Sequence, residues 1–545
     1  MLKSNSLPVE LFNSFKIANF KWESSETPDL LTRETLLSNL SNLESSFFLL
    51  QKNGEFFSSN KGIISPQLKN PYQVICSCAD FTPSDLGDPS FLSLYGTKYA
   101  LYAGSMANGI SSEDLVISMG KAGFMGSFGA GGCLPDRIEK AIERTQKELA
   151  GKPFLFNLIN SPFEPALETS TTELYIKRGI TAIEASAYLT LTSNLVWYRL
   201  VGLSSLPDGN IQIKNKLIAK VSRKEVARKF LEPADQNIVS QLFSEGKITE
   251  EQATLSQLVP MADDVTVEAD SGGHTDNRPL VSILPAIIQL RDATQEKYHF
   301  TRPTRVGAAG GIATPASALA AFMMGAAYVT TGSINQSCIE SGASDHSKKL
   351  LSQMEMTDVA MAPASDMFEM GVKVQVLKRG TMFAMRGQKL YEVYQKYESI
   401  DEIPEPEREK LETTIFKQSL DSVWNECEKF FNARDPKQIE RAMQKPKDKM
   451  ALIFRWYLGL SSRWSSIGEK GREMDYQIWC GPSMGAFNDW VKGTYLEKPE
   501  NRFVADISMH LLRGTAFLMR IRMLEAQGVR FGNAIGRYIP DKQLV

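Results

Sequence analysis

One unit recurs through the middle of this 545-residue chain: a short apolar strand, a turn rich in glycine or asparagine, then a helix-like stretch. The expected strands are Tyr99 to Ala107, Phe124 to Ala130, Phe154 to Asn160, Ala182 to Tyr188, Leu217 to Ser222, Val265 to Ala269, Arg305 to Ala309 and Ala327 to Thr331. Helices are signalled between them, by Ser112-Glu113-Asp114-Leu115 for example, and by Pro135-Asp136 ahead of Arg137 to Leu149. Strands buried on both faces read as nearly unbroken apolar runs, so eight of them alternating with helices predict an α/β fold, a (β/α)8 TIM barrel. An open doubly wound sheet is the alternative. Against it, no GxGxxG follows the first strand, and small or polar residues gather where the strands end, as they do at the site-bearing face of a barrel.

On this reading residues 96–365 form the barrel. Residues 1–95, of mixed polarity with turn pairs such as Asn53-Gly54 and Asn70-Pro71, form an N-terminal accessory domain. Residues 366–545 are a largely helical lid or C-terminal region, part of it packing back on the barrel. Its long periodic segments are Arg386 to Tyr397, Glu407 to Ala433 and Val504 to Gln527, with a break at Asp401 to Pro406.

Composition narrows the function. With 43% hydrophobic and 23% charged residues the chain is an ordinary globular protein, and a formal net charge of -2 offers no global field for nucleic acid or an anionic membrane. The longest apolar run, Ala318 to Val329, is too short to span a bilayer, and no basic segment leads into a hydrophobic one at the N-terminus, so a cytoplasmic protein is expected. Cys76, Cys78, Cys133, Cys338, Cys427 and Cys480 are too dispersed for a disulfide framework, and Cys76-Ser77-Cys78 lacks metal-site spacing, so no metal is expected.

The sixth strand runs into Ala269-Asp270-Ser271-Gly272-Gly273-His274-Thr275. Two glycines let the backbone leave the sheet and pass close to a ligand, and they deliver one of only four histidines to the mouth. His274 is the candidate catalytic residue; a solvated loop histidine is the inert reading.

Gly307-Ala308-Ala309-Gly310-Gly311-Ile312-Ala313-Thr314-Pro315 follows strand seven into a helix, and Thr331-Gly332-Ser333 follows strand eight. Glycines expose backbone N–H groups, a helix N-terminus adds partial positive charge, and these two loops are where barrels commonly hold a phosphate. Tight strand–helix packing would demand glycine too. One phosphate site without a dinucleotide fingerprint favours flavin mononucleotide (FMN). Gly104, Ser105, Met106 and Ala107, small residues ending the first strand, would let a flat ring lie against backbone. Asn157 ends the third strand, Glu184 lies in the fourth and Lys220 in the fifth; each could serve the ring, or cap a loop or form an internal pair.

These residues carry a resemblance. Leu86-Gly87-Asp88-Pro89-Ser90-Phe91, Ala103 to Ile110, Glu268 to His274, Asp366-Met367-Phe368-Glu369 and Trp479 to Asn488 resemble the nitronate monooxygenase and enoyl reductase superfamily of FMN barrels. Within it the chain resembles the PfaD family, trans-acting enoyl reductases of polyunsaturated fatty acid and polyketide synthases. The resemblance implies that NADPH reduces FMN, and that hydride then passes from flavin N5 to Cβ of a trans-2-enoyl thioester on an acyl carrier protein. It places Gly104, Met106, Asn157 and Lys220 at the ring, with Ser105, Ala107 and Glu184 beside them. Ser271, Gly272, Gly273, Ala309, Gly310, Gly311, Gly332 and Ser333 fall around the ribityl phosphate, and His274 on the substrate side, binding the thioester carbonyl or supplying a proton. A nitronate monooxygenase-type flavin oxygenase, or a non-catalytic scaffold within a synthase, are the other readings. The helical C-terminal region is compatible with a homodimer.

Residues 437–472 carry Lys437, Arg441, Lys445, Lys447, Lys449, Arg455, Arg463, Lys470 and Arg472 against Glu440, Asp448 and Glu469. This segment would steer an acidic carrier protein, or it is a solvated helical face.

Overall fold

The computed structural model describes residues 9–11, 20–161, 165–532 and 535–545. Part of the segment expected as an accessory domain, 1–8 and 12–19, therefore lies outside the described residues.

Eight parallel strands close into a barrel: β1 (Leu101–Ala103), β2 (Met125–Phe128), β3 (Leu155–Ile159), β4 (Ala182–Ser186), β5 (Lys216–Val221), β6 (Asp264–Glu268), β7 (Arg305–Ala309) and β8 (Val329–Thr331), with β8 pairing back onto β1. The TIM barrel expected from the strand count is the observed fold. Most strands are shorter than their apolar runs suggest. β1 stops at Ala103 because Gly104 to Gly109 leave the ladder, crossed by the bonds Asn108 N–H to Gly131 O (2.7 Å) and Gly109 N–H to Gly129 O (3.0 Å).

Seven outer helices follow their strands: α1 (Glu113–Lys121), α2 (Pro135–Glu148), α3 (Pro165–Lys177), α4 (Ser193–Leu200), α5 (Lys224–Leu231), α6 (Leu280–Tyr298) and α7 (Pro315–Met323). The eighth position is filled from far along the chain by α8 (Val504–Glu525), which packs between α7 and α1. Ser508 bonds Met119 Sδ (3.6 Å), and Gly514 sits so close to Pro315 that a Cβ there would come within 2.4 Å of its ring. Residues 333–503 are thus, in space, an excursion from the loop after β8. The excursion holds a hairpin (Val359–Pro363 with Lys373–Leu377), helix Phe383–Lys396, and a helical insertion ending in Pro436–Gln444 and Pro446–Ile467. The segment expected as one helix from Glu407 to Ala433 is broken: Glu405–Leu411 runs into a wider turn at Glu412–Phe416, Lys417 adopts φ +61°, and a new helix begins at Leu420.

Ahead of the barrel, a six-stranded sheet built from residues 21–78 packs on α8. Helix Pro89–Tyr95 closes the barrel floor, putting Phe91 and Tyr95 into a buried cluster with Tyr102, Met125, Leu155, Ala182, Ile218 and Tyr328. Gly307 makes this floor passable: a Cβ there would lie 2.2 Å from the Tyr328 ring, which stacks on Phe91 at 4.3 Å.

Candidate active site

Side chains two apart on a strand face the same way. Tyr102, Leu155, Ala182 and Ile218 line the interior, so Gly104, Asn157, Glu184 and Lys220 form the next layer, nearer the carboxyl mouth. The interior climbs in polar steps. At the floor Arg305 holds Asp264 through two bonds of 2.7 Å, and Tyr95 donates to the same carboxylate at 2.6 Å. Above them, Thr266 links Tyr328 (2.9 Å) and Tyr102 (3.1 Å). At the top Lys220 lies between Glu268 (3.0 Å) and Glu184 (3.8 Å); burial opposes its charge, but the two carboxylates hold its pKa above the ordinary lysine value.

Glu184 is fully buried and accepts from the Ser105 N–H at 2.9 Å, so it fixes the β1 loop from beneath. Asn157 donates to Glu184 O (2.9 Å) and Ser186 Oγ (2.7 Å). Gly104 sits over this layer: a Cβ would meet Thr330 Cγ2 at 3.0 Å and Glu184 Oε1 at 3.7 Å. The Met106 carbonyl lies against Gly129, and the Ala107 side chain against Gly131.

His274 is exposed, but a short strand carries it rather than a loose loop. Gly273–His274 pairs antiparallel with Gln375 and Val374, adding a third strand to the hairpin at the barrel mouth. Gln375 donates to Asp270 Oδ1 (2.9 Å) and Ser271 O (2.8 Å), pinning the turn that launches this strand. Across the hairpin turn, Asp366 Oδ1 stands 3.2 Å from His274 Nε2, with the two side chains 46% and 52% exposed. Partial burial works against protonating the imidazole, but the Asp366 hydrogen bond and charge outweigh it and hold its pKa above the ordinary histidine value; His274 in turn keeps Asp366 below the ordinary carboxylate value despite the opposing effect of burial.

The remaining predicted residues meet where the loops after β6, β7 and β8 converge. Gly272 is required by close approach, since a Cβ would lie 2.6 Å from the backbone of Cys480. Gly481 donates to Ser333 Oγ at 3.0 Å, so the Trp479 to Gly481 run bridges the β6 and β8 loops. Gly310, with φ +79° and its Cβ direction blocked by Ala269 backbone at 2.7 Å, packs β7 against β6. Gly311 and Gly332 differ: a Cβ at either meets nothing within 4 Å. Ser271 Oγ is buried without a hydrogen-bond partner among the described residues.

The N-terminus of α7 offers fewer free N–H groups than a bare helix end, because Thr314 and Ser317 cap each other's N–H and Pro315, its first residue, has none, which leaves that of Ala316. The nine basic residues of the insertion are not equivalent. Lys447 is spent on the Tyr394 and Tyr397 carbonyls, Lys449 lies over Trp424, Arg455 pairs with Glu369 and Arg472 with Asp475. Asp366, Gln375, Glu268 and Cys480 were not singled out as site residues; they reach it through pairings distant in sequence. A cavity of about 670 Å³ opens elsewhere, between Asp358, Met361, Arg379 and Met385, and holds none of the predicted site residues.

A closed (β/α)8 barrel with a polar layer in its interior, an imidazole–carboxylate pair at its carboxyl mouth and two open glycine loops defines a TIM-barrel protein. The profile of the nitronate monooxygenase family matches residues 89–390, and that of the inserted helical domain of [acyl-carrier-protein] S-malonyltransferase matches residues 397–476. The chain belongs to the nitronate monooxygenase family and, within it, to the PfaD-like enoyl reductases. It is 48% identical over 450 residues to one of the polyunsaturated fatty acid synthase subunits of Thraustochytrium sp., covering 81% of this chain and 30% of that one. It is 46% identical over 446 residues to polyketide biosynthesis protein PksE of Bacillus subtilis, covering 82% of this chain and 58% of that one. The chain thus spans less than two thirds of these relatives. The enoyl reductase domain of MlnA, from the macrolactin cluster of Bacillus amyloliquefaciens, superposes with a TM-score of 0.77 at 40% identity, over 81% of this chain and 99% of that domain. No helix among the described residues is long and apolar enough to cross a membrane.

Proposed function

We propose that this protein is an FMN- and NADPH-dependent enoyl reductase acting in trans on trans-2-enoyl thioesters carried by acyl carrier protein domains of a polyunsaturated fatty acid or polyketide synthase. The observation that carries this reading is the His274–Asp366 pair, 3.2 Å apart, with His274 on a strand and Asp366 in the hairpin turn at the mouth of a barrel whose last two loops leave open glycine cradles.

The residues present suit a flavin. Open space beside Gly311 and Gly332 accommodates phosphate oxygens close to backbone, and the orphaned Ser271 hydroxyl lies beside the same loops. Gly104, Met106, Asn157 and Lys220 surround the place for the ring, with Glu184 holding Ser105 and the β1 loop in register. When bound, the flavin supplies to Cβ of the enoyl thioester the hydride it took from NADPH.

The chain's own part is binding and proton handling. His274, whose protonated form Asp366 favours, donates a hydrogen bond to the thioester carbonyl or gives its proton to Cα as Cβ is reduced, and solvent reprotonates it. Lys220, positive between two carboxylates, sets a fixed charge at the base of the mouth without needing a counterion from solution.

The purified protein is expected to be yellow and to bleach rapidly on anaerobic addition of NADPH, then to recover colour with an enoyl thioester. His274→Ala should retain the flavin and lose turnover. A colourless protein would support a scaffold role, and a flavin that NADPH cannot reduce would support a nitronate monooxygenase-type oxygenase; either overturns the reading.

A further inference from the structure

We propose that the outer face of helix Pro436–Gln444 is the docking surface for the acidic carrier protein that delivers the thioester. The assignment rests on the enoyl reductase reading and adds to it where the partner sits.

Among the basic residues of the insertion, those held internally are removed from consideration by their contacts. Lys437, Arg441 and Lys445 are exposed and form no ion pair among the described residues. Lys437 and Arg441, four apart, lie in one row on the exposed side of the helix whose other side buries Gln438, Ile439 and Ala442, and Lys445 follows at the extended junction with the next helix. Glu440 is the one acid within residues 436–445, so the row keeps a net positive charge. Three neighbouring charges on a chain of net charge -2 are a local feature: too few for a nucleic-acid track, and suited to one acidic helix of a small partner.

The helix is joined to the site through rigid packing. Lys445 begins helix Pro446–Ile467, and Arg455 follows ten residues on, about 15 Å along the axis. Arg455 holds Glu369 at 3.2 Å, three residues beyond Asp366, and Phe368 packs on Tyr394 (5.0 Å) and Phe454 (6.3 Å). A carrier seated on Pro436–Gln444 therefore stands on the same packed unit that supports the Asp366 loop, within a helix length of His274's partner. The match of residues 397–476 to the inserted helical domain of an [acyl-carrier-protein] S-malonyltransferase is independent support, since the partner in that name is a carrier protein.

The test uses the flavin-loaded protein, a trans-2-enoyl group on an acyl carrier protein domain, and the same acyl group on N-acetylcysteamine. The triple variant Lys437→Glu/Arg441→Glu/Lys445→Glu is expected to raise KM for the carrier-linked substrate about tenfold with kcat nearly unchanged, and to leave the free thioester untouched. Fluorescence anisotropy of labelled carrier should show the same weakening without relying on turnover, and added salt should weaken wild type more than the variant. The control Arg463→Glu/Lys470→Glu, at and just beyond the other end of helix Pro446–Ile467, should leave both substrates as in wild type. An unchanged KM and anisotropy, an equal rise for both substrates, or the same rise in the control overturns the docking assignment. A wild type that reduces the free thioester with any of those results still upholds the enoyl reductase reading, whereas one that reduces neither substrate removes both.

Discussion

At the scale of single residues, the contact between His274 and Asp366 governs where the imidazole titrates. Asp366 raises the His274 pKa, so Asp366→Asn should lower it, leaving burial, which lowers it, against the charge of Glu268, which raises it. The imidazole resonances of a chain with four histidines, assigned with His274→Gln, would report the shift directly. If protonated His274 is the working form, activity in Asp366→Asn is lost at lower pH than in wild type as the solution is made alkaline. An unmoved pH profile and titration would remove Asp366 from the mechanism. The pair stabilises the fold while His274 is protonated; this contribution is fully present below the unfolded-state pKa and lost as pH rises through the folded one. With both side chains about half exposed it stays within ~1 kcal/mol. His274 was legible in the sequence because Gly272-Gly273 precede it directly after a strand. Asp366 was not legible as its partner, since 92 residues separate them and nothing local marks the contact.

Among elements, the end of β7 separates the two jobs of glycine. Gly310 and Gly311 both have positive φ, so alanine costs about 1–2 kcal/mol at either for the left-handed conformation. At Gly310 the added Cβ also presses on Ala269 backbone, which cannot move aside, for ~1–3 kcal/mol more. Urea unfolding of the flavin-free proteins should therefore rank Gly310→Ala below Gly311→Ala in stability. Gly311→Ala should still fold but purify with much less flavin, because its methyl fills the open cradle. Equal flavin content in Gly311→Ala and wild type would place the phosphate elsewhere. The strands themselves were legible from apolar runs, yet their ends were not: Gly104 to Gly109 and Ala269 to Gly273 have the same small-residue composition whether they stay in the ladder or leave it. The Glu407 to Ala433 segment kept helical periodicity across a break that only the αL turn at Lys417 reveals.

For the whole molecule, one buried arginine joins three parts of the chain. Arg520 on α8 donates to the carbonyls of Leu40, Asn42, Leu43, Ser45 and Ala79, so the last helix of the barrel ring grips the N-terminal sheet region. Burial lowers its pKa, and its charge is spread over five peptide dipoles. Arg520→Met would strip the donors from buried carbonyls, at ~1–3 kcal/mol for each one left unsatisfied, and should expose residues 20–78 to limited proteolysis. Arg520→Lys should rescue little, since an ammonium cannot reach carbonyls on both sides as the planar guanidinium does. Undiminished protease resistance in the methionine variant would show that the sheet is held by its apolar contacts alone.

The sequence by itself determined the barrel and the loops where its chain must turn tightly, because a strand buried on both faces is apolar throughout and a backbone with positive φ or in close contact with another favours glycine; both demands are local. Tertiary structure decided which helix completes the ring, which carboxylate faces His274, and which lysines remain free to meet a partner. Those depend on segments hundreds of residues apart meeting in space, where burial and charge pairing, rather than any neighbour in the chain, select the contact.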